Sequence, residues 1–136
     1  MPLVSRKGVL AIAAVIDVAV NASNRPVSAK ALAARHQLPP RHLEPVLQAL
    51  VRDGILRGIR GPHGGYELAR EHHQITAEDI LRAASSTEEA EDPPLPPSGL
   101  VSDVVRPALA EAERSFSTAL AAISVEAMTK QVLDQG

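Results

Sequence analysis

Between residues 55 and 68 two short apolar runs flank a glycine-rich turn, and this segment constrains the fold more than any other. Ile55-Leu56-Arg57-Gly58-Ile59 reads as a strand and Tyr66-Glu67-Leu68 as its partner. Between them lies Arg60-Gly61-Pro62-His63-Gly64-Gly65, a turn led by an arginine. Its glycines let a backbone approach another surface closely. The ring of Tyr66, the only tyrosine, is expected to pack this hairpin onto a helical body.

That body is legible on both sides of the hairpin. Residues 8–21, GVLAIAAVIDVAVN, are apolar nearly all round, which predicts a helix packed on several sides. Ser28 caps a short helix over AKALAARH. After the turn at His36-Gln37-Leu38, Pro40 suits the first position of a second helix, where its missing N–H is not needed. That helix sets Leu43, Val46, Leu47, Leu50 and Val51 on one face and ends at Gly54. Pro45 falls one turn in and is expected to loosen the first turn. Two short helices joined by a tight turn are either a helix-turn-helix or a plain helical hairpin. The basic hairpin directly after them favours the first reading, with the hairpin as a wing.

Thr76, with Glu78 and Asp79 behind it, caps a helix to about Ala84. Residues 85–99, SSTEEAEDPPLPPSG, read as an acidic, proline-rich flexible linker. Beyond Val101 apolar residues recur at spacings of three and four. Pro107 stands at the first turn of a long helix, a separate turn precedes it, and Ser124 caps a short last helix. The expected fold is therefore mainly α: a winged helix-turn-helix domain over residues 1–84, the linker 85–99, and a helical arm over 100–136. The long helix buries its apolar face either against a second copy or by docking within the chain; a dimer is the commoner solution.

Charge sorts the same regions. Residues 25–70 hold eight bases against three acids, and residues 71–136 hold four bases against twelve acids. DNA phosphates attract the first half and repel the second, although ordinary solvated faces can also segregate this way. Arg6 and Lys7 ahead of an apolar run resemble a signal peptide superficially. The run continues into Asp17 and Asn21 without a cleavage pattern, so it reads as a buried helix of a cytoplasmic protein. No stretch approaches the ~18 apolar residues of a membrane span.

The texts VSRKGVLAIAAVIDVAV, PPRHLEPVLQALVRDGIL, RGPHGGYELAR and SVEAMTKQVL closely resemble the Rrf2 family of winged-helix regulators, over nearly the whole chain. The family includes iron–sulfur-cluster, nitric-oxide-sensitive and cysteine-metabolism regulators. The resemblance implies a homodimer on a partly palindromic operator. It assigns Ser28 to the start of the first motif helix. Pro40, Arg41, His42 and Glu44 fall at the exposed start of the recognition helix, facing the major groove. Arg60, Gly61, Pro62, Gly64 and Gly65 match a wing that touches backbone and minor groove, and Ser5 and Lys7 match a segment near phosphate. Chemically, Arg41 can bond guanine or phosphate and Glu44 can accept from a cytosine amine. The dimer face is expected on Val105, Leu109, Ala112, Phe116, Leu120 and Ile123. Two departures stand out. His63 replaces the family's usual wing glycine, read mainly as a surface side chain. Where many members hold a cluster through three linker cysteines, this chain has no cysteine at all. No cofactor is therefore expected.

His72 and His73 are adjacent and form no metal motif, so no metal is assigned to them. No nucleophile with a paired base, phosphate loop or dinucleotide motif is present, which argues against an enzyme. The function expected is a DNA-binding transcriptional repressor. A winged-helix module for protein contacts is the alternative. An effector, small molecule or partner protein, has no visible sensor; a seat near Phe116 or the linker is the expectation.

Overall fold

The computed structural model describes residues 4–21, 25–85 and 98–135. Helix α1 (Arg6–Asn21) leads to α2 (Ala29–Arg35) and α3 (Pro40–Arg52), then the strands β1 (Leu56–Ile59) and β2 (Gly65–Leu68). A 3-10 turn (His72–Gln74) precedes α4 (Ala77–Ser85). The chain resumes with a π-helical turn (Val101–Val105), α5 (Arg106–Ala121) and α6 (Val125–Gln135). Most of the segment read as a linker lies outside the described residues.

Four helices, α1, α2, α4 and α6, start where a side chain can serve their free N–H groups. Ser5 Oγ accepts from the Gly8 N–H, Ser28 Oγ from Ala31 and Ser124 Oγ from Ala127, each at 3.0 Å. At α4 the service is reciprocal. The Asp79 N–H donates to Thr76 Oγ1 and the Thr76 N–H donates to Asp79 Oδ2.

α1 is the central helix. It packs against α3, α4, α6 and β2, with Ala11, Ala14, Val15 and Val18 fully buried. Leu32, Leu43, Leu47, Leu50, Ile55, Ile75 and Ile80 fill the space around it. No aromatic ring enters this core; Tyr66 packs on its edge. Close packing of aliphatic side chains thus does the work that larger rings do elsewhere.

Three expectations need correction. Val51 is 37% exposed and leaves the buried face of α3, while Ala49 is buried at 1%. The 100° step between successive helical residues carries Val51 past the core edge. The turn before Pro107 is not separate: the Arg106 N–H donates to the Val101 carbonyl, so the π turn runs straight into α5. The last helix does not belong with the arm. The Val125 N–H donates to the Ile75 carbonyl and the Ala77 N–H to the Ile123 carbonyl, both at 2.8 Å, around a bridge between Thr76 and Ser124. The Val125 side chain is fully buried, so α6 completes the winged core through its contact with α1. Pro45 lies inside α3 without ending it; its missing N–H would face the Arg41 carbonyl near the helix start.

Candidate nucleic-acid interface

The turn that sets α3 against α2 rests on local backbone chemistry. Gln37 adopts a left-handed conformation, with φ at 55°. The Leu38 N–H then reaches back to the Ala33 carbonyl at 2.9 Å and the Gln37 N–H to Ala34 at 3.3 Å. This pair of bonds closes α2 and redirects the chain. Pro40 opens α3, Leu43, Val46 and Leu47 anchor it from below, and Arg41, His42 and Glu44 are left exposed on its first two turns.

The wing is tied down on both strands. Its register pairs Arg57 with Glu67, and the Arg57 guanidinium donates to Glu67 Oε1 from Nε at 2.9 Å, with Nη2 2.6 Å from the same oxygen in the ion pair. At the tip, Gly61 has φ at 112°, a region closed to most side chains, and the Gly64 N–H donates to its carbonyl. Arg60, Gly61 and Pro62 are exposed there.

A single-residue bridge joins wing and helices. The Val27 N–H donates to the Tyr66 carbonyl at 2.9 Å and the Tyr66 N–H to the Val27 carbonyl at 2.8 Å. A Cβ on Gly65 would lie 2.5 Å from the Val27 oxygen, so only glycine permits this approach. The contact creates a cleft of about 410 Å³ in which Arg25 and Ser28 face Pro62, His63 and Gly64.

A second tie holds α2 to α1. Arg35 donates to Asp17 in a forked arrangement, Nε to Oδ2 at 2.8 Å and Nη2 to Oδ1 at 2.5 Å. His36 Nε2 sits 3.1 Å from Oδ2, and the Asn21 amide donates to Oδ1. Burial pushes the Asp17 carboxyl up, but the hydrogen bond and charge of Arg35, helped by Asn21 and His36, outweigh it and hold it below its ordinary value.

The residues singled out in the sequence thus fall into separate groups. Ser28, Pro62 and Gly64 meet in the cleft. Arg41, His42 and Glu44 share the start of α3, and Arg60 and Gly61 share the wing tip. Ser5 and Lys7 stand elsewhere, at the start of α1. Ser5 lines a different cavity, of about 440 Å³, with Val4, Leu81, Phe116 and Leu120. Sequence reading passed over Arg25 and Lys30 and discounted His63. A basic residue within three places of a helix cap was the available signal. Val105, at the end of the π turn, and Leu109 on α5 are 41% and 56% exposed, Ala112 on α5 and Ile123 just past it are exposed, and Phe116 and Leu120 lean back toward α4.

Among the described residues no helix is long and apolar enough to cross a membrane. The Rrf2 family model, described as an iron-dependent transcriptional regulator, matches residues 4–131. A protein of Haemophilus influenzae named as a helix-turn-helix-type transcriptional regulator is 37% identical over 79 residues, 58% of this chain and 53% of its own. The transcriptional regulator CymR of Bacillus subtilis is 35% identical over 79 residues, 58% of this chain and 57% of its own. The chain spans about half the length of these curated relatives. Solved structures match over more of it. T. potens IscR has a TM-score of 0.75 at 30% identity, covering 96% of this chain and 88% of that one. The CymR structure from B. subtilis has a TM-score of 0.71 at 25% identity, covering 96% and 98%.

Proposed function

The chain belongs to the Rrf2 family of transcriptional regulators, and from that membership we propose that it is a cytoplasmic, DNA-binding repressor acting as a homodimer on a palindromic operator. One observation carries the reading: the cations divide into two sets. Arg35 and Arg57 are spent on Asp17 and Glu67, and Arg52 lies 3.8 Å from Asp53. Arg25, Lys30, Arg41 and Arg60 make no ion pair among the described residues and stand on α2, α3, the wing and the loop before α2. Cations held away from carboxylates are the ones available to phosphates.

On this reading the start of α3 enters the major groove, where Arg41 donates to guanine or phosphate and Glu44 accepts from a cytosine amine. His42 and Pro40 border that contact. Arg60 reaches the minor groove or backbone, helped by Gly61, Pro62, Gly64 and Gly65. Ser28, Ser5 and Lys7 donate to phosphate. The second copy is joined through Leu109 and Ala112 on α5 with Val105 and Ile123 at its two ends, and Phe116 and Leu120 behind them. Repression follows from occupancy of promoter DNA. An effector has a seat in the cavity between Val4, Leu81 and Phe116, where it would bias the spacing of two reading helices.

The iron dependence in the family description does not extend to a cysteine-ligated cluster here. The 136 residues include no cysteine, and the segment 85–99 offers only carboxylates and hydroxyls. On this reading the protein is a regulator without a cysteine-ligated cluster, and, as its family of transcriptional regulators indicates, not an enzyme.

The test is selection of genome fragments by the purified protein, followed by a salt titration on the best one. Recovery of an inverted repeat with a steep fall of affinity with salt is expected. Arg60→Ala should lower the slope of log affinity against log salt by about 1. Failure to enrich any fragment at low salt would overturn the DNA-binding reading and leave a protein-contact module.

A further inference from the structure

The 3-10 turn between the wing and α4 gathers groups that DNA binding does not use. Glu71, His72 and His73 each present a donor atom, and the three atoms lie within 4.8 Å of one another. The two imidazole rings stand edge to face, 6.1 Å between centroids at 78°. Across from them, at the start of α6, Glu126 Oε2 lies 3.5 Å from His72 Nε2. Residues 71–73 and 126 come from segments more than 50 positions apart, brought together by the Thr76–Ser124 bridge.

We propose that Glu71, His72 and His73, joined by Glu126 from α6, form an exchangeable site for a borderline divalent metal ion such as Zn²⁺. Two imidazole nitrogens and two carboxylates make a four-donor set that zinc takes in tetrahedral geometry. Bonds of about 2.0–2.1 Å put neighbouring donors roughly 3.3 Å apart, so Glu71, His72 and His73 close by about 1.5 Å at most, while Glu126 swings in from beside His72. Arg57, which lines the same cleft as Glu71 and His72, is paired with Glu67. Hard cations such as Mg²⁺ prefer an all-oxygen shell and are poorly served by two imidazoles. His72 and Glu126 are 42% and 51% exposed, which makes the ion a signal that comes and goes rather than a structural component. It would clip α6 to the segment leaving the wing.

The inference is independent of the DNA-binding reading, and its test uses no DNA. Tag-free, chelator-treated protein is titrated with ZnCl₂ in a calorimeter and melted with and without the metal. One zinc per chain and a higher Tm in its presence are expected. The double variant His72→Gln, His73→Gln should lose both effects while keeping its circular dichroism. Glu126→Gln should weaken binding about tenfold or more and shrink the Tm rise. His36→Gln and His63→Gln should bind as the parent does, and MgCl₂ should give no heat. No zinc binding, binding that survives the double variant, an unchanged Glu126→Gln, or one zinc per two chains would overturn the site.

Discussion

The winged core and the α5 arm are both helical and both carry apolar residues at helical spacing, yet they treat that surface differently. In the core, α3 buries Leu43, Val46, Leu47 and Leu50 to within 1% of full coverage. α5, three residues longer, buries none of its side chains. The polar groups divide in the same way. Asp17, Arg35, Thr76 and Asp79 are all engaged with partners in the core, whereas α5 contributes only the Thr118 hydroxyl bonded back to its own Arg114 carbonyl. The amphipathic pattern of a sequence therefore specifies that a face will be covered, not by what. The core covers itself; the arm has its outer face open to a second surface.

Four substitutions sharpen or break this contrast. Leu47→Ala empties a fully buried position in the core and should cost about 2–5 kcal/mol in chemical denaturation. A loss under 1 kcal/mol would mean that the core is loosely packed. Leu109→Asp should leave circular dichroism unchanged, yet move the protein to monomer in sedimentation and weaken operator binding. A variant that stays dimeric would place the interface off α5. Thr129 offers a smaller, opposite effect. Its hydroxyl is buried in α6 with no partner among the described residues, so Thr129→Val should raise stability by about 1 kcal/mol. A loss would show that α6 docks differently on α1. Asp17→Asn should have the smallest effect, because Arg35 stands partly in solvent. Its folded carboxyl titrates below the ordinary value, so its stabilisation is present at neutral pH and lost as pH falls through that lowered value. Urea melts across acid pH should fall less steeply for the variant; identical slopes would remove Asp17 from the balance.

Much of the architecture was legible because it depends on short-range rules. Ser28, Thr76 and Ser124 announce helix starts through the distance between a hydroxyl and an N–H three residues on. The glycines of the wing announce a turn. What escaped was long-range or solitary. The Val27–Tyr66 bridge joins single residues 39 positions apart and leaves no periodic trace. The return of α6 to the core depends on two backbone hydrogen bonds that any sequence can make. Phe116 fits the apolar stripe of α5 as well as Leu109 does, but it lies on the side turned to Leu81. In the site, the charges were readable one by one. Which of them would be neutralised by a neighbour was not, since Asp17 and Arg35 meet only after α1 and α2 pack.

The docking of α6 has a consequence for the order of events in synthesis. Contacts between α1 and α6 join residues more than 100 positions apart, and Val125 is wholly enclosed. On the ribosome, the helices and hairpin through α4 can collapse early, but the gap beside α1 stays unfilled until residues near 125 have emerged. Closing so long a loop comes late and favours slower folding than a helical chain of local contacts would show. Nascent chains halted before that point would be sensitive to proteases along α1, and release of the last helix would remove that sensitivity in one step.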